Sequence, residues 1–89
     1  MDFKVLAFDK QTKARCGEIQ IANHTIPTPV FMPVGTQGTV KTITPEYLGR
    51  TGTKVILCNA YHLCLRPGES VIKQMGGLHK FIGWDGVII

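Results

Sequence analysis

The chain has no long apolar run and no targeting segment. No stretch approaches the ~20 apolar residues that a membrane-spanning helix needs. The start, Met1-Asp2-Phe3-Lys4, has no basic region leading into an apolar one, so it does not look like a secretory signal. A hydrophobic content of 44% with 18% charged residues is typical of a packed globular chain and argues against disorder. We therefore expect a cytoplasmic protein with no membrane partner.

Acidic groups for catalysis are also scarce. Aspartate occurs only at Asp2, Asp9 and Asp85, none of them at the carboxyl end of a predicted parallel strand. No Ser/His/Asp or Cys/His arrangement for nucleophilic catalysis is evident. The sequence therefore predicts no catalytic residue within this chain.

Cysteine is sparse and odd in number. Cys16, Cys58 and Cys64 do not have the spacing of a zinc knuckle. Because His62 lies between the last two, a metal site stays open as an alternative. The favoured interpretation is free, buried thiols in a reducing cytosol.

The net charge of +4 permits an acidic partner, nucleic acid included, without requiring one. Lys10, Lys13 and Arg15 cluster around a predicted turn, where they could contact phosphates. A solvated, charged loop explains the same cluster and is the favoured reading.

The first third of the chain predicts a small antiparallel sheet over residues 1–27. Strand-forming residues occupy 3–8 and alternate over 17–22, and Thr25-Ile26 begins a return strand. A turn is expected over 9–12 and a tight reversal at Asn23-His24. His24 is interpreted as a residue of that reversal and not as a catalyst.

Residues 28–89 predict parallel strands that alternate with helices. Val30–Val34 is an apolar run flanked by prolines, and Thr44-Pro45-Glu46 has the pattern of a helix start that ends near Gly52. The next predicted elements are a buried strand over 54–58 and a helix over 69–75. They are followed by a helical face at Leu78, Phe81 and Trp84 and by a strand that begins at Val87. This alternation of strands and helices is typical of βαβ units in an α/β fold. Because the third strand is cut off after Ile89, we expect the chain to be the front piece of a larger domain.

In parallel α/β sheets, functional residues gather at the carboxyl ends of the strands. Residues 34–38 and 59–63 have that position here. A phosphate loop of the Walker type is excluded, because Gly35 and Gly38 enclose only two residues and Lys41 does not directly follow the second glycine. The Gly-x-x-Gly loop of a KH module is disfavoured, because a predicted strand precedes Gly35 where that module has a helix. Asn59, Tyr61 and His62 could read a planar base and hold a carboxylate. Alternatively, Tyr61 and His62 are hydrogen-bonded packing residues at a strand-to-helix turn.

Four motifs in order resemble the N-terminal part of one enzyme family. They are Thr28-Pro29-Val30-Phe31-Met32-Pro33-Val34-Gly35-Thr36-Gln37, Asn59-Ala60-Tyr61-His62-Leu63, Leu65-Arg66-Pro67-Gly68, and Gly76-Gly77-Leu78-His79-Lys80-Phe81-Ile82-Gly83-Trp84-Asp85. The chain resembles the tRNA-guanine transglycosylases (queuine tRNA-ribosyltransferases) over nearly its whole length.

The resemblance implies an irregular (β/α)8 barrel of the TIM type, closed at its N-terminal end by an antiparallel sheet. It also implies exchange of guanine at the tRNA wobble position for queuine or a deazaguanine precursor. In the family an aspartate attacks the ribose and a second aspartate, in an Asp-Ser-Gly-Gly-Phe motif expected after Ile89, handles protons. By the family pattern, both aspartates and the ligands of a structural Cys3His zinc site lie outside this chain, which is therefore expected to be inactive alone.

By resemblance, Val34 packs against the target ribose at the pocket mouth and Asn59 orients the catalytic aspartates. Tyr61 and His62 resemble the supporting segment that follows, and Leu63 lies near a dimer contact. The expected partners are the tRNA anticodon loop, the incoming base and a second subunit, as a homodimer or a heterodimer.

Two positions depart from the family pattern. Cys58 stands where the family usually has glycine, and Ala60 where it has threonine. These departures favour the alternative interpretation, a non-catalytic accessory protein or degenerate paralogue that binds RNA or a protein partner.

Overall fold

A computed structural model describes all residues of the chain, 1–89. The chain divides into two compact units, Met1–Phe31 and Met32–Ile89, and each is described by itself. Its four helices contain five or six residues each, and none is long or apolar enough to cross a membrane.

The first unit is the antiparallel sheet that the sequence predicts. Its strands are β1 (Asp2–Phe8), β2 (Arg15–Ile21) and β3 (His24–Thr28), in the order β1-β2-β3. Phe3, Ile19 and Ile26 lie directly opposite one another across the three strands, so alternation places one apolar row on one face. The prediction for His24 was wrong by one position: the reversal is at Ala22-Asn23, and His24 opens β3 opposite Ile21.

The turn that joins β1 to β2 is organised by one carboxylate. Asp9 Oδ2 accepts hydrogen bonds from the hydroxyl and the amide of Thr12, both at 2.8 Å, and from the amide of Gln11 at 3.1 Å. The Thr12 hydroxyl, followed by these backbone amides, lowers the pKa of Asp9 below its ordinary value of 3.8 because each bond favours the charged form.

We expect an NMR titration of the Asp9 carboxyl carbon to give a pKa below 3.8. Because the pKa of the folded state is the lower one, the turn's stabilisation is present above pH 3.8 and is lost as the pH falls through the folded pKa. Thr12→Val removes the hydroxyl donor and should move the pKa back toward 3.8. A value at or above 3.8 in the unsubstituted chain would contradict this account of the turn.

The second unit is built on parallel strands. β4 (Val55–Ile56) pairs in parallel with β5 (Val87–Ile88), and Val34 forms a single parallel bridge with Leu57. The predicted strands at 54–58 and from Val87 are therefore confirmed with shorter bounds. The predicted strand over 30–34 was wrong except at this bridge. Prolines lack the amide donor that a ladder needs, so Pro33 contributes only its carbonyl, which accepts from the Leu57 amide at 2.9 Å.

Four short helices complete this unit: α1 (Pro45–Arg50), α2 (Ala60–Leu65), α3 (Glu69–Gln74) and α4 (Leu78–Ile82). The predicted start of α1 is confirmed, because the Thr44 hydroxyl accepts from the amide of Tyr47 and Pro45 is the first helical residue. The sequence interpretation missed α2, and it placed Trp84 on a helix that ends at Ile82. Gly83 ends α4 in the left-handed conformation, at φ 76°.

The core of the second unit lies between α1, β4 and the segment after α4. Leu48, Ile56 and Trp84 are each 5% exposed or less and pack together, with Ile43 and Ile82 against them. Burying side chains of this size contributes about 1.5–3 kcal/mol each to stability. A cavity of about 130 Å³ adjoins this cluster.

Candidate functional site at the carboxyl edge of the parallel strands

Backbone hydrogen bonds bring the predicted functional segments to one edge of the second unit. The Gly35 amide donates to the Leu57 carbonyl at 2.7 Å, and the Cys58 amide donates to the Ile89 carbonyl at 2.8 Å. Because the three segments run in parallel, residues that follow Val34, Leu57 and Ile88 emerge on the same side. The Gly35 loop and the segment that begins at Asn59 therefore share this edge.

Asn59 is the N-cap residue of α2. Its φ and ψ of −123° and 110° are extended, and its Oδ1 accepts from the His62 amide at 3.2 Å. The side chain is exposed, and its Nδ2 group forms no hydrogen bond within the chain. The cap thus fixes the amide plane and leaves two donors free, and an ionised carboxylate can only accept hydrogen bonds. The geometry suits Asn59 to hold a carboxylate.

Tyr61 and His62 occupy the first turn of α2, and both are exposed. Their rings meet edge to face with centroids 5.6 Å apart, and neither the Tyr61 hydroxyl nor the His62 ring forms a hydrogen bond within the chain. The interpretation of these two residues as hydrogen-bonded packing residues was therefore wrong. Leu63 is the buried residue of α2, at 5% exposed, and so the helix is anchored by an apolar side chain while its polar groups face solvent.

Val34 is 56% exposed and lies on the wall of an open groove of about 870 Å³. Thr36, Gln37, Lys41 and Arg66 line the same groove. Asn59, Tyr61 and His62 do not line it, so the structure places all four predicted residues at one edge but only Val34 in the groove.

Lys41 and Arg66 are groove residues that the sequence interpretation did not select. It named instead Lys10, Lys13 and Arg15, of which the first two belong to the turn of the first unit and the third begins β2. Their positions in the sequence could have indicated them, because Lys41 closely follows the glycine loop and Arg66 follows α2. A search for clusters of charge along the sequence misses cations that are distant in the sequence and line the same groove in the fold.

All three cysteines are free, but the expectation that they are buried was wrong: Cys16 and Cys64 are exposed and Cys58 is half-buried. No group of three His, Cys, Asp or Glu side chains lies close enough together to hold a metal ion. Burial raises the pKa of the Cys58 thiol above its ordinary value of 9.0, because desolvation disfavours the thiolate.

Alkylation by iodoacetamide at mildly alkaline pH is expected to modify Cys58 more slowly than Cys16 or Cys64. The thiolate is the reactive form, and at Cys58 it is both rarer and less accessible. Peptide mapping by mass spectrometry measures the three rates in one sample. Cys58 reacting first would show that the strand end is open.

Comparison with known proteins agrees with the four motifs. The family model for queuine tRNA-ribosyltransferase matches residues 9–89. A queuine tRNA-ribosyltransferase of Dictyoglomus turgidum is 51% identical over 89 residues, which is 100% of this chain and 23% of that protein. The Enterococcus faecalis protein of the same name is 53% identical over 87 residues, covering 98% of this chain and 23% of its own length. The chain thus spans about a quarter of the length of these relatives, and it belongs to the queuine tRNA-ribosyltransferase family.

Proposed function

We propose that this chain supplies one rim of the active site of an enzyme that exchanges guanine at the tRNA wobble position for queuine or its deazaguanine precursor. Family membership over residues 9–89 supports the activity. The observation that carries the proposal is the shared carboxyl edge, where Val34 forms a parallel bridge with Leu57 and the Asn59 segment follows β4. In the proposal this edge belongs to a (β/α)8 barrel, and the protein acts in the cytoplasm.

In the proposed reaction an aspartate outside this chain attacks the ribose of the target nucleotide and expels guanine, and a second aspartate handles protons. Asn59 contributes its free Nδ2 donors, which would hold one of these carboxylates while Oδ1 remains bound to the His62 amide. Val34 contributes an exposed apolar surface against which a ribose would pack. Tyr61 and His62 support the site from the first turn of α2.

The partners in this proposal are the anticodon loop of tRNA, the replacement base and a second subunit. Leu63 is buried, so a subunit contact near it would be made by the exposed neighbours of Leu63 on α2. The zinc that the resemblance implies would be structural. Its ligands are proposed to lie outside these residues, because no cysteine here lies in a group of three side chains that could bind a metal ion.

The test is incorporation of labelled guanine into tRNA by the longer protein that carries this segment. We expect incorporation into tRNA with guanine at the wobble position and none into tRNA with another base there. The 89-residue chain should be inactive alone, since none of its three aspartates follows the end of a parallel strand. Turnover by the isolated chain would overturn the assignment of the chemistry to other aspartates. Binding of tRNA by the longer protein without exchange would favour the non-catalytic alternative.

A further inference from the structure

His79 joins the end of α4 to the start of β5. Its backbone carbonyl accepts from the amides of Gly83 at 2.8 Å and Trp84 at 3.1 Å, which ends the helix. Its ring Nε2 lies 2.9 Å from the carbonyl oxygen of Gly86, seven residues further along the chain. Because a carbonyl oxygen can only accept, Nε2 must carry the hydrogen. His79 thus holds both sides of the corner between α4 and β5, residues 83–86: its backbone carbonyl holds the end of the helix, and its ring holds Gly86.

The corner leads directly into the site edge through the hydrogen bonds of β5. The Val87 amide donates to the Lys54 carbonyl at 2.9 Å, and the Ile89 amide donates to the Ile56 carbonyl at 3.0 Å. The Ile89 carbonyl then accepts from the amide of Cys58, the residue before Asn59. A shift of Gly86 would therefore move the strand whose last carbonyl holds the amide of Cys58, the residue before Asn59.

The corner does not need His79 for its packing. Trp84 is buried, and its Nε1 donates to the Val87 carbonyl at 3.2 Å, which already fixes the apolar side of the corner. The His79 side chain is exposed and buries little apolar surface. Its hydrogen bond to Gly86 therefore orients the start of β5 and contributes little to the packing of the core.

We propose that His79 is a positioning residue: its bond to Gly86 sets the placement of β5 and, through Ile89 and Cys58, that of Asn59. The inference rests on the proposed function only in taking Asn59 as a site residue. In this role His79 makes no contact with substrate and acts only through β5.

Two substitutions separate the hydrogen bond from the ring. His79→Phe keeps a planar ring and removes the donor, and His79→Gln places an amide N–H at a similar reach from the backbone. His24→Phe is the matched control, because the His24 ring lies in the other unit and forms no hydrogen bond within the chain.

The first readout uses the 89-residue chain and nitrogen-15 NMR. The neutral His79 ring is expected to be the Nε2–H tautomer. In His79→Phe, hydrogen exchange at the Ile89 and Cys58 amides should accelerate roughly threefold to tenfold, the weight of one hydrogen bond, relative to the Leu48 amide of α1. His79→Gln should restore protection, and His24→Phe should leave the ratio unchanged. An equal acceleration of exchange at the Leu48 amide would mean that the substitution destabilises the whole chain, and it would overturn the inference.

The second readout is guanine exchange by the longer protein. We expect His79→Phe to lower kcat roughly tenfold with little change in KM for tRNA, and His79→Gln to recover most of it. Wild-type kcat in His79→Phe, with unchanged Cys58 protection, would end the inference and leave the proposed function intact. If the unsubstituted longer protein exchanges no guanine, the proposed function fails, and the NMR ratio still decides whether His79 positions the strand end.

Discussion

Asn59→Ala in the longer protein is expected to slow guanine exchange by roughly tenfold to a hundredfold, as loss of a group that orients catalytic residues often does. The substitution removes the free Nδ2 donors proposed to hold a carboxylate. It also removes the Oδ1 acceptor that caps α2 through the His62 amide. In the 89-residue chain, loss of the cap alone should lower the free energy of unfolding by about 1 kcal/mol.

Asn59→Ser separates the two roles of this side chain. Serine caps helices about as well as asparagine, so the free energy of unfolding should stay near that of the unsubstituted chain. It has no amide nitrogen, so kcat should fall nearly as far as in Asn59→Ala. If Asn59→Ser exchanges guanine at the wild-type rate while Asn59→Ala does not, the cap matters and the free donors do not. Unchanged rates in both variants would remove Asn59 from the site.

Gly86→Ala is expected to destabilise the chain by about 1–3 kcal/mol, the usual cost of forcing an added methyl group into occupied space. A Cβ atom at this position would lie 2.6 Å from the Lys54 carbonyl oxygen and 2.7 Å from the Trp84 ring. Backbone and a buried indole cannot both move away without disturbing β4 and the core. Urea unfolding followed by fluorescence of Trp84, the single tryptophan, measures the change.

Gly49→Ala is the matched control for this substitution. Gly49 lies inside α1, and an added Cβ would meet no atom within 4 Å. Because alanine favours helix over glycine, this variant should be more stable by about 0.5–1 kcal/mol. Equal effects of the two substitutions would show that backbone freedom, and not close packing at the corner, determines the tolerance of Gly86.

Local signals in the sequence were sufficient wherever neighbouring residues determine the structure. The Thr44-Pro45-Glu46 start of α1 was predicted because cap, first-turn proline and acidic residue act within one turn. The sheet of the first unit followed from alternation, since one face of it is apolar. The α/β class followed from the order of these elements.

The predictions were wrong where the structure depends on contacts between residues that are distant in the sequence. The run 30–34 looked like a strand because it is apolar, yet its prolines remove ladder donors and only Val34 pairs. Helix α2 was missed because its six residues carry little periodicity, although Asn59 is a good cap. The hydrogen bond between His79 and Gly86, and the presence of Lys41 and Arg66 in one groove, depend on how the chain turns back.

The proposed site requires the Gly35 loop and the Asn59 segment to share one edge of a parallel sheet. The direct measurement is through-hydrogen-bond scalar coupling by NMR in the 89-residue chain. We expect coupling from the Gly35 amide to the Leu57 carbonyl and from the Cys58 amide to the Ile89 carbonyl, the parallel pattern of the structure. Couplings that pair these segments in antiparallel register, or an exposed and unbonded Gly35 amide, would put the two segments on different edges and contradict the proposed site.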